Sequence, residues 1–389
     1  MKEKLEKLDK LTEKNSVKIL NAFIENKVSE SHFYQSTGYG YGNVGRGVLN
    51  KVFAQVMGAE SAFVSENFVS GTHAISTSIF SVVRPKNTIL FSTGTPYDTL
   101  DKLISGNDCC SLKDLDVNVV ISDYLKENEF LKELEKRPEV VYIQRSRGYT
   151  LRRSLSIKDI KFLIEKIRNI SKNSIIIVDN CYGEFVDDCE PTQVGADLIV
   201  GSLIKNPGAG IAVSGGYICG KKEYIDLCEQ RFLSPGLHDI GSSFHNRELF
   251  MGLFYSPLAV RESLKTAYYI SESFYNLGFE VFPKPYEHWN DIITSINLES
   301  EENLRKFCQI IQNFSPVDSF LTPEPWRMPG YNHDVIMSSG GFISGSSIEL
   351  SCDAPVKPPF TVYIQGGTNF YLSKYAIDKI LENIKKYKV

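Results

Sequence analysis

Long apolar runs are missing from this 389-residue sequence. No segment approaches the roughly 18 uninterrupted apolar residues that a helix needs to cross a bilayer. Residues 1–9 mix lysine and glutamate with leucine and so lack the apolar stretch of a secretion signal. These absences argue against a membrane span and predict a cytoplasmic protein.

Paired cysteines of the kind that bind metals or form disulfides are also missing. The eight cysteines include no CxxC pair, which argues against a zinc site or a disulfide framework and predicts free thiols. The net charge of −4 gives no reason to expect a nucleic-acid partner. No P-loop, GxSxG or HExxH motif occurs, and we expect no metal. The GxGxxG match at 40–45 follows a polar stretch, whereas a dinucleotide site requires a preceding strand.

Short apolar runs organise the first part of the chain. They lie at 62–65, 88–91, 117–121, 140–143, 175–178 and 198–200. Their alternation with helical stretches is typical of a parallel sheet that helices cover on both faces. A run at 211–218 follows too soon for a helical crossover, and therefore predicts an antiparallel strand.

The chain also exceeds the size at which one core usually stops growing, so we expect two domains. An N-terminal helix is predicted at 3–28, with a break near Asn15, and a long helix at 246–277. Beyond it, the pattern predicts strands at 292–298, 335–337 and 347–351, and helices at 301–313 and 372–387. The expected fold is α/β: an N-terminal helix and loop (1–45), a large domain with a mostly parallel sheet (46–250) and a smaller α+β domain (251–389).

A carboxylate and a lysine follow two of the apolar runs. Asp179 ends the run at 175–178, and Lys205 lies in a Ser/Gly/Pro loop after the run at 198–200. A buried carboxylate requires a partner. Pyridoxal 5'-phosphate (PLP) offers one in its protonated pyridine nitrogen, and its aldehyde requires a lysine amine for a Schiff base. The pair therefore predicts a PLP enzyme, although either residue alone would be read as a turn aspartate or a surface lysine.

Small polar residues suited to a phosphate occur in two other loops. Ser70, Gly71 and Thr72 start a predicted helix, where free N–H groups and the helix dipole favour an anion. Such a turn is about as often a simple helix cap. Ser202 adds a hydroxyl close to Lys205. Tyr97 follows the run at 88–91, so its ring falls near the same edge of the sheet and could stack on the cofactor.

Seven segments together give the chain a family resemblance. They are 39–46 (YGYGNVGR), 70–75 (SGTHAI), 95–100 (TPYDTL), 178–185 (VDNCYGEF), 201–208 (GSLIKNPG), 328–331 (MPGY) and 365–367 (QGG). In combination they resemble fold-type-I PLP enzymes of the Cys/Met-metabolism group, in particular the branch of methionine gamma-lyase-like or "aluminium resistance" proteins.

The resemblance implies a role for each candidate residue. Lys205 would carry the Schiff base, Asp179 would pair with the pyridine nitrogen, and Tyr97 would stack on the ring and transfer protons. The phosphate would be bound by Ser70, Gly71, Thr72 and Ser202. Tyr41 and Arg46 match a loop that reaches the phosphate site of the neighbouring subunit. This match implies a homodimer or homotetramer with shared active sites.

The sequence departs from the group's pattern where the substrate carboxylate would bind. An arginine near the C-terminus usually forms a bidentate pair with this group, but the last arginine here is Arg327. Lys357 stands where the branch carries arginine, and a lysine would hold the carboxylate less rigidly. The candidates are Lys357, Arg145 and Arg327, followed by Arg147, Arg152 and Arg153. Ile204 similarly replaces a threonine that contacts the phosphate in the wider group.

The residues and the resemblance together imply a PLP-dependent lyase that acts on an amino acid. Within that class we expect a carbon–sulfur lyase that catalyses β- or γ-elimination, of the cystathionine, methionine or cysteine type. The alternatives are another fold-type-I reaction, either γ-replacement or an aminotransferase reaction, and a catalytically inactive PLP-binding protein. The missing C-terminal arginine motivates the last alternative.

Overall fold

The computed structural model describes residues 2–106 and 110–384, so Cys109 lies outside the described residues. A seven-stranded sheet forms the larger of two layered units. Its strands are β1 (Ser61–Ser65), β2 (Thr88–Phe91), β3 (Asn118–Ile121), β4 (Val140–Gln144), β5 (Ile175–Asp179), β6 (Leu198–Ser202) and β7 (Gly216–Gly220). They lie in the order β1-β7-β6-β5-β4-β2-β3. Only β7 opposes its neighbours, which confirms the predicted mostly parallel sheet.

Helices cover both faces of this sheet. The helices of the unit are α1 (Lys2–Glu25), α2 (Val44–Val56), α3 (Gly71–Val82), α4 (Asp101–Ser105), α5 (Glu127–Leu134), α6 (Ile157–Ile170) and α7 (Lys222–Phe232). One face packs against α3 and α7, and the other against α2 and α6. In β5, Ile176 and Val178 enter one core while Ile177 enters the other. This double burial is why the strand reads as a continuous apolar run.

Two elements of this unit differ from the sequence-based expectation. The predicted strand at 211–218 is present as β7 but begins only at Gly216, because residues 206–212 form tight turns closed by the bond from Ala212 N to Gly208 O (3.1 Å). Helix α1 continues unbroken past Asn15, where a break was predicted. Asn15 is buried there, and its side-chain amide donates to the Asp187 carbonyl (3.0 Å).

A five-stranded antiparallel sheet forms the smaller unit. Its strands are β8 (Glu280–Phe282), β9 (Ile293–Asn297), β10 (Val335–Ser338), β11 (Ser351–Pro355) and β12 (Thr361–Gln365), in the order β10-β11-β12-β9-β8. Helices α8 (Asn246–Asn276), α9 (Glu301–Asn313) and α10 (Phe370–Ile384) pack against it. The predicted α+β character is therefore confirmed.

The strand predicted at 347–351 is wrong. Residues 347–349 form a turn in which Glu349 N donates to Ser347 Oγ (3.1 Å), and the strand starts at Ser351. Strands β8 and β12 were not predicted. Helix α8, at 31 residues, connects the two units without a break. The predicted domain boundary at residue 250 falls inside it, and the division at 45 and 250 stays a prediction.

Within the described residues, no helix is both long enough and apolar enough to pass through a membrane. This finding leaves the cytoplasmic location as a prediction.

Candidate active site

A cavity of about 240 Å³ lies between the two sheets, at the carboxyl ends of β4, β5 and β6. Several residues predicted from the sequence line it together: Ser70, Gly71, Thr72, Tyr97, Ser202 and Lys205. The opposite wall comes from the smaller unit, through Ile293, Asp353 and Tyr363. Open α/β sheets bind ligands at this edge.

Lys205 is held in a tight loop just after β6. Asn206 Nδ2 donates to the Glu184 carbonyl (2.9 Å), which ties the loop to the segment that follows β5. Gly208 packs so closely that a Cβ there would overlap the Leu203 carbonyl oxygen. Lys205 Nζ lies 3.5 Å from the centroid of the Tyr182 ring. The loop therefore presents the lysine amine to the cavity against an aromatic face.

Asp179 lies beneath the cavity as the last residue of β5, and it is fully buried. Cys181 N donates to its Oδ1 (3.1 Å), and the Tyr142 hydroxyl donates to its Oδ2 (3.2 Å). Burial raises the pKa of Asp179, and the Cys181 N–H and the charge of Lys205 oppose that shift. A cationic N–H brought into the cavity would lower the cost of this buried carboxylate.

The start of helix α3 forms one end of the cavity. Ser70 caps the helix, since its hydroxyl accepts from His73 N (3.1 Å). A Cβ added at Gly71 would lie 3.2 Å from Ser202 Cβ, so glycine keeps the space between α3 and β6 open. Thr72 Oγ1 lies 3.2 Å from Thr99 Oγ1. Backbone N–H groups, hydroxyls and the positive end of a helix thus meet in a cradle suited to a phosphate.

Tyr97 forms part of the cavity wall. Its backbone N donates to Gln144 Oε1 (3.2 Å), and its hydroxyl is hydrogen-bonded to Ser146 Oγ. Burial, with a further contribution from the charge of Asp179, raises the pKa of Tyr97 well above its usual value. The phenol is therefore protonated near neutral pH. The ring position and the protonated hydroxyl agree with stacking and proton donation.

The three leading candidates for carboxylate binding do not line the cavity. Arg145 is fully buried, and its Nη1 donates to Asn180 Oδ1 (2.8 Å), so it braces the residue after Asp179. Arg327 is exposed, and its Nε donates to Asp334 Oδ1 (3.1 Å). Lys357 is exposed in the turn between β11 and β12.

The charge of Lys357 nevertheless acts on a histidine close to the cavity, His333. Burial lowers the pKa of His333, and the charge of Lys357 lowers it further. His333 Nε2 in turn lies 3.6 Å from Oδ2 of Asp98, a lining residue. Of the other candidates, Arg147 is buried with Nη1 3.4 Å from Ser295 Oγ, Arg152 donates to Gln144 O (3.0 Å), and Arg153 pairs with Asp159 (2.7 Å).

Tyr41 and Arg46 also lie outside the cavity of their own chain. Arg46 Nε donates to Asp239 Oδ1 (2.9 Å), and its Nη1 donates to the Gly241 carbonyl (2.6 Å). Tyr41 is 79% exposed and stacks on Tyr39, with ring centroids 5.4 Å apart. Arg46 therefore fixes the loop, while Tyr41 stands on its surface.

Several lining residues were missed as site residues by sequence reasoning. They are Asp98, Thr99, Tyr149, Tyr182, Ile293, Tyr331, Ser346, Asp353, Tyr363 and Gln365. Tyr331 and Gln365 fall within segments that carried the family resemblance, but no spacing rule gave them a role. Tyr182 has a φ of 69°, in a region that side chains rarely adopt, and in this conformation its ring lies under Lys205.

A lysine and a buried carboxylate at the carboxyl ends of a mostly parallel sheet, with a phosphate cradle beside them, define a fold-type-I PLP enzyme. The buried Asp179 and the space kept open at Gly71 fit the cofactor's ring nitrogen and phosphate. The chain belongs to the methionine gamma-lyase family, whose model matches residues 1–385. Membership of this family confirms the resemblance, the fold class and PLP as the cofactor.

Relatives match the chain over nearly its whole length. A Bacillus subtilis protein, named uncharacterized protein YnbB, is 41% identical in an alignment 387 positions long that covers 97% of this chain and 92% of the relative. The crystal structure of a Clostridium novyi carbon–sulfur lyase involved in aluminium resistance is 44% identical, with a TM-score of 0.92 over 98% of this chain and 92% of that one. A Listeria monocytogenes protein, provisionally described as a cystathionine beta-lyase involved in aluminium resistance, is 40% identical, with a TM-score of 0.94 over 98% and 96% of the two chains.

Proposed function

We propose that this protein is a PLP-dependent carbon–sulfur lyase that eliminates a thiol from an amino acid. The observation that carries the proposal is that Lys205 and the start of helix α3 line one cavity, with the buried Asp179 directly behind the lining residue Cys181. The Clostridium novyi relative, described as a carbon–sulfur lyase, supports the reaction class.

The bound cofactor would act as an electron sink for the carbanion formed at the substrate α-carbon. Asp179 would hold the ring nitrogen in its protonated state. The phosphate would be bound by Ser70, Gly71, Thr72 and Ser202. The N–H groups at the start of α3 are already fixed in place, so they do not need to reorient when this anion binds.

Lys205 and Tyr97 would move the protons. Lys205 Nζ, once free, would accept the proton from the substrate α-carbon, and the Tyr182 ring beside it would keep the amine in place. A tyrosine is protonated at neutral pH, and burial raises the pKa of Tyr97 further, so its hydroxyl would have a proton to donate to the leaving sulfur. The hydrogen bond between the Tyr97 and Ser146 hydroxyls holds the phenol in place.

The substrate carboxylate and the subunit contact are also part of the proposal. Lys357 is our candidate for the carboxylate, because it stands where the branch carries arginine and its charge acts on His333, which lies 3.6 Å from the lining residue Asp98. Tyr41, exposed on a loop that Arg46 fixes, would enter the site of a second copy in a homodimer or homotetramer.

Spectroscopy and product analysis test the reaction. Purified protein should gain a visible absorbance band with PLP, and should release a thiol, ammonia and an α-keto acid from a sulfur amino acid. Lys205→Ala should abolish both, whereas Lys222→Ala, which removes an exposed lysine on α7, should change neither. Stoichiometric amino transfer to a second keto acid would instead identify an aminotransferase. A bound cofactor without turnover of cysteine, cystathionine, homocysteine or methionine would contradict the proposal.

A further inference from the structure

Asp353 places a carboxylate in the cavity wall opposite the cofactor cradle. It lies on β11 of the smaller unit and is 6% exposed. The Ser346 hydroxyl donates to it, at 3.0 Å from Oδ1 and 2.8 Å from Oδ2. Burial raises the pKa of Asp353, and Ser346, Tyr149 and the charge of Lys205 oppose that shift. The side chain is therefore held in a defined orientation at the cavity.

This carboxylate keeps unused acceptor capacity. A carboxylate can accept about four hydrogen bonds, and the Ser346 hydroxyl supplies only one hydrogen. Across residues 2–106 and 110–384, no lysine, arginine or histidine forms an ion pair with Asp353 within 4.0 Å. The cation whose field reaches it is Lys205, and that amine is committed to the cofactor in the proposed function. A positively charged group brought into the cavity would offset the cost of burying the ionised form of this carboxylate.

The rest of the lining points to the same kind of partner. The charged side chains around the cavity are Lys205, Asp98 and Asp353. Asp98 Oδ2 lies 3.6 Å from His333 Nε2, and this second carboxylate adds to the negative charge that Asp353 brings to the cavity. Tyr149 and Tyr331 stand beside it with their hydroxyls 3.3 Å apart, and aromatic rings also favour cations.

We propose that Asp353 is a specificity residue that binds a positively charged group at the distal end of the substrate. This inference rests on the proposed function and names its substrate class: amino-acid thioethers whose leaving thiol carries an ammonium group, in preference to neutral thioethers such as methionine.

Two matched pairs of probes test the assignment. S-(2-Aminoethyl)-L-cysteine and S-propyl-L-cysteine differ by an ammonium in place of a methyl group, and both carry a thiol leaving group. L-Lysine and L-2-aminoheptanoic acid differ in the same way but have no leaving group, so they report binding alone. We expect the holoenzyme to favour the cationic member of each pair by about 30-fold or more, in kcat/KM for the thioethers and in Kd for the other pair.

Asp353→Asn should reduce each preference to within about threefold, while kcat/KM for S-propyl-L-cysteine stays within about threefold of its original value. Asp353→Glu should recover part of the preference. The assignment would be overturned if the wild-type enzyme showed equal kcat/KM values for the two thioethers and equal Kd values for the other pair. It would also be overturned if the preference for the cationic probes survived in Asp353→Asn. If Asp353→Asn fails to fold, Asp353→Glu takes its place: a preference unchanged from the wild type in that variant would also overturn the assignment.

The two proposals fail in different ways. If neither thioether is eliminated, the carbon–sulfur lyase proposal fails, and the pair of lysine and 2-aminoheptanoic acid still tests Asp353. If both thioethers are eliminated at equal rates, the lyase proposal stands and the specificity assignment falls.

Discussion

Buried carboxylates near the candidate site differ in what surrounds them. Asp179 and Asp353 lie at the cavity, whereas Glu184 lies behind it, where the Tyr217 hydroxyl donates to its Oε1 (2.7 Å). Burial raises the pKa of Glu184 to about 8, so it is largely protonated at neutral pH. We expect Glu184 to govern stability, because it contacts the scaffold of the lysine loop and not the cavity.

The pH dependence of unfolding tests the state of Glu184. Its folded-state pKa of about 8 exceeds the unfolded value of about 4.3, so the folded protein binds more protons between these two values. Its stabilising contribution is complete below about pH 4 and declines as the pH rises towards 8. The Glu184 carboxyl should therefore lower the free energy of unfolding of the wild type by on the order of a few kcal/mol as the pH rises from about 4 to about 8.

Glu184→Gln should remove that loss, and Glu223→Gln, at an exposed position on α7, should retain it. Urea denaturation at pH 5 and pH 8 measures the difference. Parallel pH profiles for the wild type and Glu184→Gln would show that Glu184 is not protonated in the folded protein.

Sequence reasoning worked best for residues at the ends of apolar runs. Asp179 and Lys205 were found because a parallel strand fixes where its last residue lies. Asp353 could not be found in this way, since its place depends on how the smaller sheet faces the larger one. Arg145 was a candidate because of its charge, but its burial beside Asn180 becomes visible only in three dimensions.

At the scale of elements, the start of helix α3 depends on the absence of a side chain at Gly71. Gly71→Ala would place a Cβ 3.2 Å from Ser202 Cβ and narrow the phosphate cradle. Overpacking of this kind costs about 1–2 kcal/mol, so we expect PLP affinity to fall roughly tenfold.

Fluorescence titration with PLP measures this change, and the Tm of the cofactor-free protein measures how much of the overpacking cost falls on folding. Gly47→Ala in helix α2 is a suitable control, because nothing lies within 4 Å of a Cβ added there. Unchanged PLP affinity in Gly71→Ala would place the phosphate elsewhere.

The elements of the larger sheet were predictable because each strand is buried on both faces and reads as one apolar run. The smaller sheet was harder. Strand β12 follows Pro358 and Pro359, which read as a loop, and β8 has only three residues. The strand expected at 347–351 was misplaced because Ile348 reads as part of a strand, whereas it lies in a turn next to the lysine loop.

At the scale of the whole molecule, the site is built from both units and, in our proposal, from two copies of the chain. Mixing two inactive variants tests the shared site. If Tyr41 serves the neighbouring cavity, Tyr41→Ala and Lys205→Ala should each be poorly active as pure proteins. A reassembled equal mixture should recover about a quarter of wild-type activity, because half the dimers then carry one intact site.

Mixing either variant with itself is the control and should recover nothing. Light scattering establishes the assembly state before and after mixing. Activity of pure Tyr41→Ala equal to that of the wild type would show that this side chain is dispensable for the site.

One backbone hydrogen bond sets a limit on how the cavity can open. Ile348 N, in the turn before β11, donates to the carbonyl of Ile204, the residue just before Lys205 (3.1 Å). A hinge motion that separated the two sheets would stretch this bond and displace the reactive amine. Substrate entry that leaves this amine in place must therefore proceed without separating the two sheets, so the path of the ligand and the alignment of the lysine depend on different parts of the chain.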